Sequence, residues 1–180
     1  MIDKSLSRKI FRELFNGRVV NDQSYAADGS MQSDPLYEEL FKHYDSYYRE
    51  MYDNIGYKLV LREGFAFIRS HDTDDQLSDA AMKIHALLMV IGRGVLELGY
   101  DFEILTTHEV GVSESLLNQI DTDEKREILQ ACGLKGTLDK SIQNVLIVRN
   151  IAYRNAKACV VLTSAGRGFF AEVFKDHSQV

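Results

Sequence analysis

The residues of this chain whose types and spacing could do chemistry are cations in its C-terminal third: Lys135, Lys140, Arg149, Arg154, Lys157 and Arg167. Fixed positive charge beside a helix and a turn binds phosphate oxygens without specifying a base sequence. The helix-length segment among these cations, Leu138 to Arg149 (LDKSIQNVLIVR), is poor in residues that read base edges, so the DNA contact expected of it is non-specific. Enzymatic signatures are not found. The glycines at 92 and 94 lie inside a helix pattern, and Gly166-Arg167-Gly168 lacks the lysine-serine continuation of a phosphate loop. His43, His71, His85, His108 and His177 have no paired ligand spacing, and the acids of 72 to 75 read as a solvated linker. No catalytic, cofactor-binding or metal-binding residue is therefore assigned, and no cofactor is expected.

The chain holds two helix-then-hairpin arrangements, the second of which must position these cations. In the first, Leu36 to Tyr52 (LYEELFKHYDSYYREMY) leads through Asp53-Asn54-Ile55-Gly56 into two β-rich runs, YKLVLR and FAFIR, split by the turn pair Glu63-Gly64. Tyr57, Leu59 and Leu61 alternate with Lys58, Val60 and Arg62, which predicts one strongly apolar face that must be covered. In the second, Leu138 to Arg149 leads into strands at Ile151 to Tyr153 and Cys159 to Leu162, with Arg154-Asn155-Ala156-Lys157 between them. A helical bundle ending in a β-hairpin is the plan of a winged helix. The predicted class is α+β, mainly α, with tandem winged-helix domains over 1–75 and 76–180.

The remaining elements follow from periodicity and punctuation. Leu6, Ile10, Phe11, Leu14 and Phe15 have helical spacing, and Gly17 ends that helix. Val19-Val20 could form a short strand, and polar residues 21 to 34 read as a loop. Asp34 before Pro35 is a cap followed by a proline suited to the first helical position. A long helix spans Leu77 to Leu98 and ends at Gly99, with Gly92 and Gly94 marking a bend or close packing. Phe102 to Leu105 reads as a strand. Ser113 opens one further helix, Asp121-Thr122-Asp123 begins a second whose early acids suit a helix N-terminus and which ends at Gly133, Thr137 caps a third, and Thr163-Ser164 opens a closing helix rich in phenylalanine. The aromatic helix 36–52 reads as a core helix with tyrosine hydroxyls at its edges; read instead as an interface helix, it offers Tyr37, Phe41, Tyr44 and Tyr48 as protein-interface candidates.

Composition sets the class. With 180 residues, 45% of them apolar, the chain can fill one medium core or two small ones. No apolar run reaches membrane-spanning length and no signal-peptide pattern opens the chain, so a cytoplasmic location is expected. Cys132 and Cys159 are read as buried free thiols. The net charge of −6 is uneven. Residues 1–20 carry five Lys/Arg against two Asp/Glu, residues 21–134 nine against 22, and residues 135–180 seven against three. Ordinary solvated faces account for this distribution, and so does the sharper reading of a basic terminal unit that touches phosphates with an acidic body that meets protein.

The passage PLYEELFKHYDSYYREMYDNIGYKLVLREGFAFIRS resembles the bacterial condensin subunits MukE and MksE, in which an aromatic-acidic helix feeds a hairpin. The resemblance continues through the long helix, FEILTTHEVGVSESLLNQI, and the second wing leading into TSAGRGFFAEVF. The chain is also similar to the corresponding subunit of plasmid-restricting SMC-like defence systems. The resemblance implies a non-enzymatic homodimer that binds a kleisin (MksF/MukF-like) and, through it, an SMC-type ATPase (MksB/MukB-like). It implies a nucleoid-associated role in chromosome condensation and segregation or in plasmid restriction, and no membrane partner. It places dimerisation largely in the N-terminal unit and DNA contact at the matching positions Lys140, Arg154, Lys157 and Arg167. The competing expectation is a dimeric winged-helix transcription regulator.

Overall fold

A computed structural model describes residues 1–25, 30–72 and 78–175. The acidic positions 74 and 75, the start of the long helix at 77, and His177 lie outside the described residues. The chain is α+β and mainly helical, and it divides into two compact units, Met1–Gln76 and Leu77–Val180.

The first unit opens with α1 (Lys4–Phe15), whose first turn is capped by Asp3: its Oδ1 accepts from the amides of Ser5 at 2.8 Å and Leu6 at 3.1 Å. Helix α2 (Pro35–Lys42) starts as expected, with Asp34 accepting from Leu36 N at 2.8 Å. It does not continue as one regular helix to residue 52. A π-helical segment, Tyr44–Tyr48, intervenes before α3 (Arg49–Asp53). The physical reason lies in the spacing of Leu40, Tyr44, Tyr48 and Tyr52, four residues apart throughout. On a 3.6-residue helix such a row drifts by about 40° per step. One wider turn takes up that drift, and Leu40, Tyr48 and Tyr52 all reach the core.

Strands β1 (Val20–Asn21), β4 (Tyr57–Arg62) and β5 (Phe65–Ser70) form an antiparallel sheet in the order β1-β5-β4. The turn between β4 and β5 needs Gly64 at φ +84. Register pairs Leu59 with Ile68 and Leu61 with Ala66, and these side chains pack with Ile10, Leu14 and Val20. The opposite face is not bare: the Arg62 guanidinium lies 6.0 Å from the Phe65 ring and 5.9 Å from Phe67, and Arg69 lies 5.3 Å from Phe67. The loop reading of 21–34 is corrected. Strands β2 (Gln23–Tyr25) and β3 (Met31–Ser33) pair antiparallel, Gln23 with Ser33 and Tyr25 with Met31. Neither strand buries a face, so no hydrophobic alternation marks it in the sequence.

The second unit is built on α4 (Asp79–Glu97), followed by Gly99 at φ +82. Its inner glycines serve close packing. A Cβ at Gly92 would sit 2.6 Å from the Phe174 ring and 2.7 Å from Phe170, and one at Gly94 would strike Ile120. Phe102–Leu105 is a 3₁₀ helix and not a strand. The alternation of Phe102 and Ile104 mimicked a strand, whereas three residues per turn let Leu105 bury and Phe102 meet the rings of Phe170 and Phe174 at 5.0 Å. Helices α5 (Glu114–Ile120), α6 (Asp123–Ala131) and α7 (Leu138–Ser141) follow, capped by Ser113, Thr122 and Thr137. Helix α7 runs into a second π-helical segment, Ile142–Ile147. The same spacing recurs here, with Leu138, Ile142 and Leu146 each fully buried. Strands β6 (Ala152–Arg154) and β7 (Val160–Leu162) form the hairpin, and Val112 bridges to Val160 on its edge. Thr163 closes the unit: its hydroxyl reaches the carbonyls of Asn150 at 2.8 Å and Ile151 at 3.0 Å and accepts from Gly166 N at 3.2 Å, at the start of α8 (Ser164–Lys175).

Candidate functional site

The helix 138–147 and the hairpin β6–β7 hold most of the cations singled out in the sequence. Between Lys135 and Lys157 the chain carries five Lys/Arg and one acid, Asp139. The helix is fixed from behind by its buried leucines and isoleucine, and its first turn is held by Asp121, whose Oδ2 accepts from Leu138 N at 3.1 Å while Oδ1 accepts from Arg126 Nε at 2.9 Å. That carboxylate raises the Arg126 pKa above its ordinary value. Asp121 looked like a helix-start acid in the sequence; its tie to a residue 17 positions away has no local signal.

Each DNA-contact candidate can be placed. Lys140 is exposed on α7, with no hydrogen bond or ion pair to its ammonium among the described residues. Arg154 donates to Asp139 Oδ1 at 2.6 Å and to Ala158 O at 3.0 Å, so its charge is partly offset. Lys157 Nζ donates to Glu109 O at 3.0 Å, and Arg167 Nη2 donates to Ser164 Oγ at 3.0 Å. Arg154 and Lys157 share a cleft of about 470 Å³ with Ser113, Glu114, Ser115, Asp139 and Ala158, whereas Lys140 and Arg167 do not line it.

The hairpin turn that presents Lys157 is shaped by Asn155. Its Nδ2 donates to His108 O at 2.7 Å and Val110 O at 3.3 Å, and its Oδ1 accepts from Lys157 N and Cys159 N, each at 3.0 Å. Ala158 takes a left-handed conformation at φ +59 to close the turn. His108 Nδ1 also lies 2.8 Å from the Tyr153 hydroxyl, bracing the hairpin from the 108–112 segment. The cysteines are both free thiols; Cys159 is buried beside this turn, and Cys132 is only half-buried.

The protein-interface candidates separate sharply. Tyr48 is wholly buried in the first unit and offers no surface. Tyr37 and Tyr44 tie the helix to the hairpin: Tyr37 donates to Arg62 O at 3.0 Å and accepts from Gly64 N at 3.2 Å, and Tyr44 donates to Leu59 O at 3.1 Å. Phe41 is 62% exposed and stacks on Tyr37 at 6.0 Å. Other exposed rings were missed, among them a stacked pair on α1. Phe11 and Phe15, 43% and 40% exposed, stack at 4.1 Å on the outer side of α1, beside exposed Arg8 and Arg12. The signal was present, because five apolar residues on α1 span a wider arc than one packed face needs.

Burial raises the pKa of Tyr48 and of Tyr52 above the ordinary tyrosine value, most strongly for Tyr52, whose hydroxyl has no hydrogen-bond partner among the described residues. Among the described residues no cluster of three or more His, Cys, Asp or Glu could hold a metal ion, and no helix is long and apolar enough to cross a membrane.

The family model for condensin complex protein MksE matches residues 5–174. No curated protein matches the chain.

Proposed function

Because the chain belongs to the MksE family of condensin complex proteins, and is thus a condensin-type subunit, we propose that it acts there as a non-enzymatic scaffold. In this reading both units are winged-helix domains, divided near residue 75. The chain pairs with itself as a homodimer, binds a kleisin subunit, and is joined through that kleisin to an SMC-type ATPase in the cytoplasm, at the nucleoid. The observation that carries the reading is the family match across almost the whole chain. The exposed rings of Phe41, Phe11 and Phe15 support the first unit as the protein-binding one, since exposed aromatics supply large contact area at low entropic cost. The basic helix and hairpin of the second unit support contact with the DNA backbone through Lys140, Arg154, Lys157 and Arg167.

Co-purification tests this. The tagged chain, expressed with the products of its neighbouring genes, is expected to retain a kleisin and a long coiled-coil ATPase. Failure to retain a kleisin-like partner would sink the scaffold reading. A toprim-type nuclease gene beside it favours plasmid restriction over chromosome condensation and segregation.

A further inference from the structure

The helix 138–147 sorts its residues in a way its composition hides. Leu138, Ser141, Ile142, Val145 and Leu146 are buried, and Lys140, Gln143 and Asn144 are exposed, followed by Val148 just past the end. Of the apolar letters that make QNVLIVRN look unfit for base reading, Val145 and Leu146 are therefore on the other side, while Ile147 is half-buried. What the outer face presents is one lysine and two adjacent carboxamides. Neither amide side chain has a hydrogen bond among the described residues, so neither is spent on holding the fold. Within 138–147 no large apolar residue is exposed as an anchor for a protein partner: Ile147 is half-buried, and the exposed Val148 lies beyond the helical segment.

Carboxamides have a specific chemistry on DNA. An asparagine or glutamine donates and accepts at once, matching the N6 donor and N7 acceptor of adenine in the major groove. The charge around the face fits a polyanion: one acid against five cations from 135 to 157, with that acid already bonded to Arg154. We infer that the outer face of helix 138–147 enters the major groove of duplex DNA, where Gln143 and Asn144 read adenine edges and Lys140 holds the backbone. The inference rests on the proposed DNA contact of the second unit and adds base preference to it.

The test uses the full chain and two short duplexes of equal length, one with adenine at every step and one of G·C pairs alone, titrated over a series of salt concentrations. The adenine-bearing duplex is expected to bind at least about fivefold more tightly. The double substitution Gln143→Ala with Asn144→Ala should abolish that preference and leave the salt dependence unchanged. Lys140→Ala should weaken binding to both duplexes alike and lower the slope of log affinity against log salt by about 1. Equal binding of the two duplexes, or a preference that survives the double substitution, overturns the inference and leaves the DNA contact standing. Absence of salt-dependent binding to either duplex overturns the contact itself. All three positions are exposed, and circular dichroism of each variant confirms that the fold is kept.

Discussion

The two units use the same local device for different ends. In each, a helix widens into a π-helical turn and delivers the chain into an antiparallel hairpin. In the first unit the helix meets its hairpin through tyrosines, with the hydroxyls of Tyr37 and Tyr44 on the carbonyls of Arg62 and Leu59. In the second unit the corresponding helix carries no tyrosine, and its hairpin is braced by Asn155 and Thr163 instead. The contrast teaches that the scaffold sets the helix and hairpin, while the polar groups added to it decide what the outer surface is left to offer. The helix-and-hairpin of the first unit leaves the Phe41 ring exposed, and that of the second leaves Lys140 with the carboxamides Gln143 and Asn144.

If the shared device rests on the spacing-of-four row, truncating it must be equally damaging in both units. Leu40→Ala and Leu146→Ala should each cost about 2–5 kcal/mol, because each removes a fully buried side chain. Amide hydrogen exchange should show protection falling only in the unit that carries the change; a loss shared by both units would break the comparison. Next in size, Gly166→Ala should cost the second unit about 1–3 kcal/mol by denaturant unfolding, since the added methyl would run into the Ile151 carbonyl oxygen.

Alkaline pH should separate the units without any mutation. Tyrosine is neutral when protonated, and burial favours that form, so the folded first unit keeps its protons where the unfolded chain releases them. Stability from Tyr48 and Tyr52 is complete below the unfolded value of about 10 and falls as pH rises toward their higher folded values. The first unit should therefore lose protection above about pH 10. Tyr52→Phe should flatten that loss and, by removing a buried hydroxyl without a partner, stabilise the unit by about 1 kcal/mol at neutral pH. Tyr44→Phe, which removes a bonded hydroxyl, should do the opposite by about 0.5–1.5 kcal/mol. The smallest effect is expected at the second hairpin. Ala158→Gly relieves a left-handed alanine at some cost in unfolded-state entropy, for a net gain of at most about 1 kcal/mol by thermal unfolding.

The first hairpin, the Asp34-Pro35 helix start, the Ser113 and Thr137 caps and the Gly99 stop were all legible, because each is written in a few neighbouring residues. What escaped depended on distance or on geometry between the standard periods. The π turns hide in a row that reads as an ordinary helix, and the 3₁₀ turn at Phe102 imitates a strand. At the candidate site, the sequence identified the cations, but not that Asp139 engages Arg154. Likewise the aromatic helix was conspicuous, yet which rings face outward was decided by packing, which buries Tyr48 and leaves Phe41.

The wide turns also bear on how such a chain can change length. From Leu40 to Tyr52 the core row occupies three turns with about one residue more than a regular helix would need. Deleting one residue inside that turn restores an ordinary pitch and keeps the flanking side chains in phase, whereas a deletion elsewhere in the helix rotates everything beyond it by about 100°. When chains of this family are aligned, single-residue gaps therefore belong at Tyr44–Tyr48 and Ile142–Ile147.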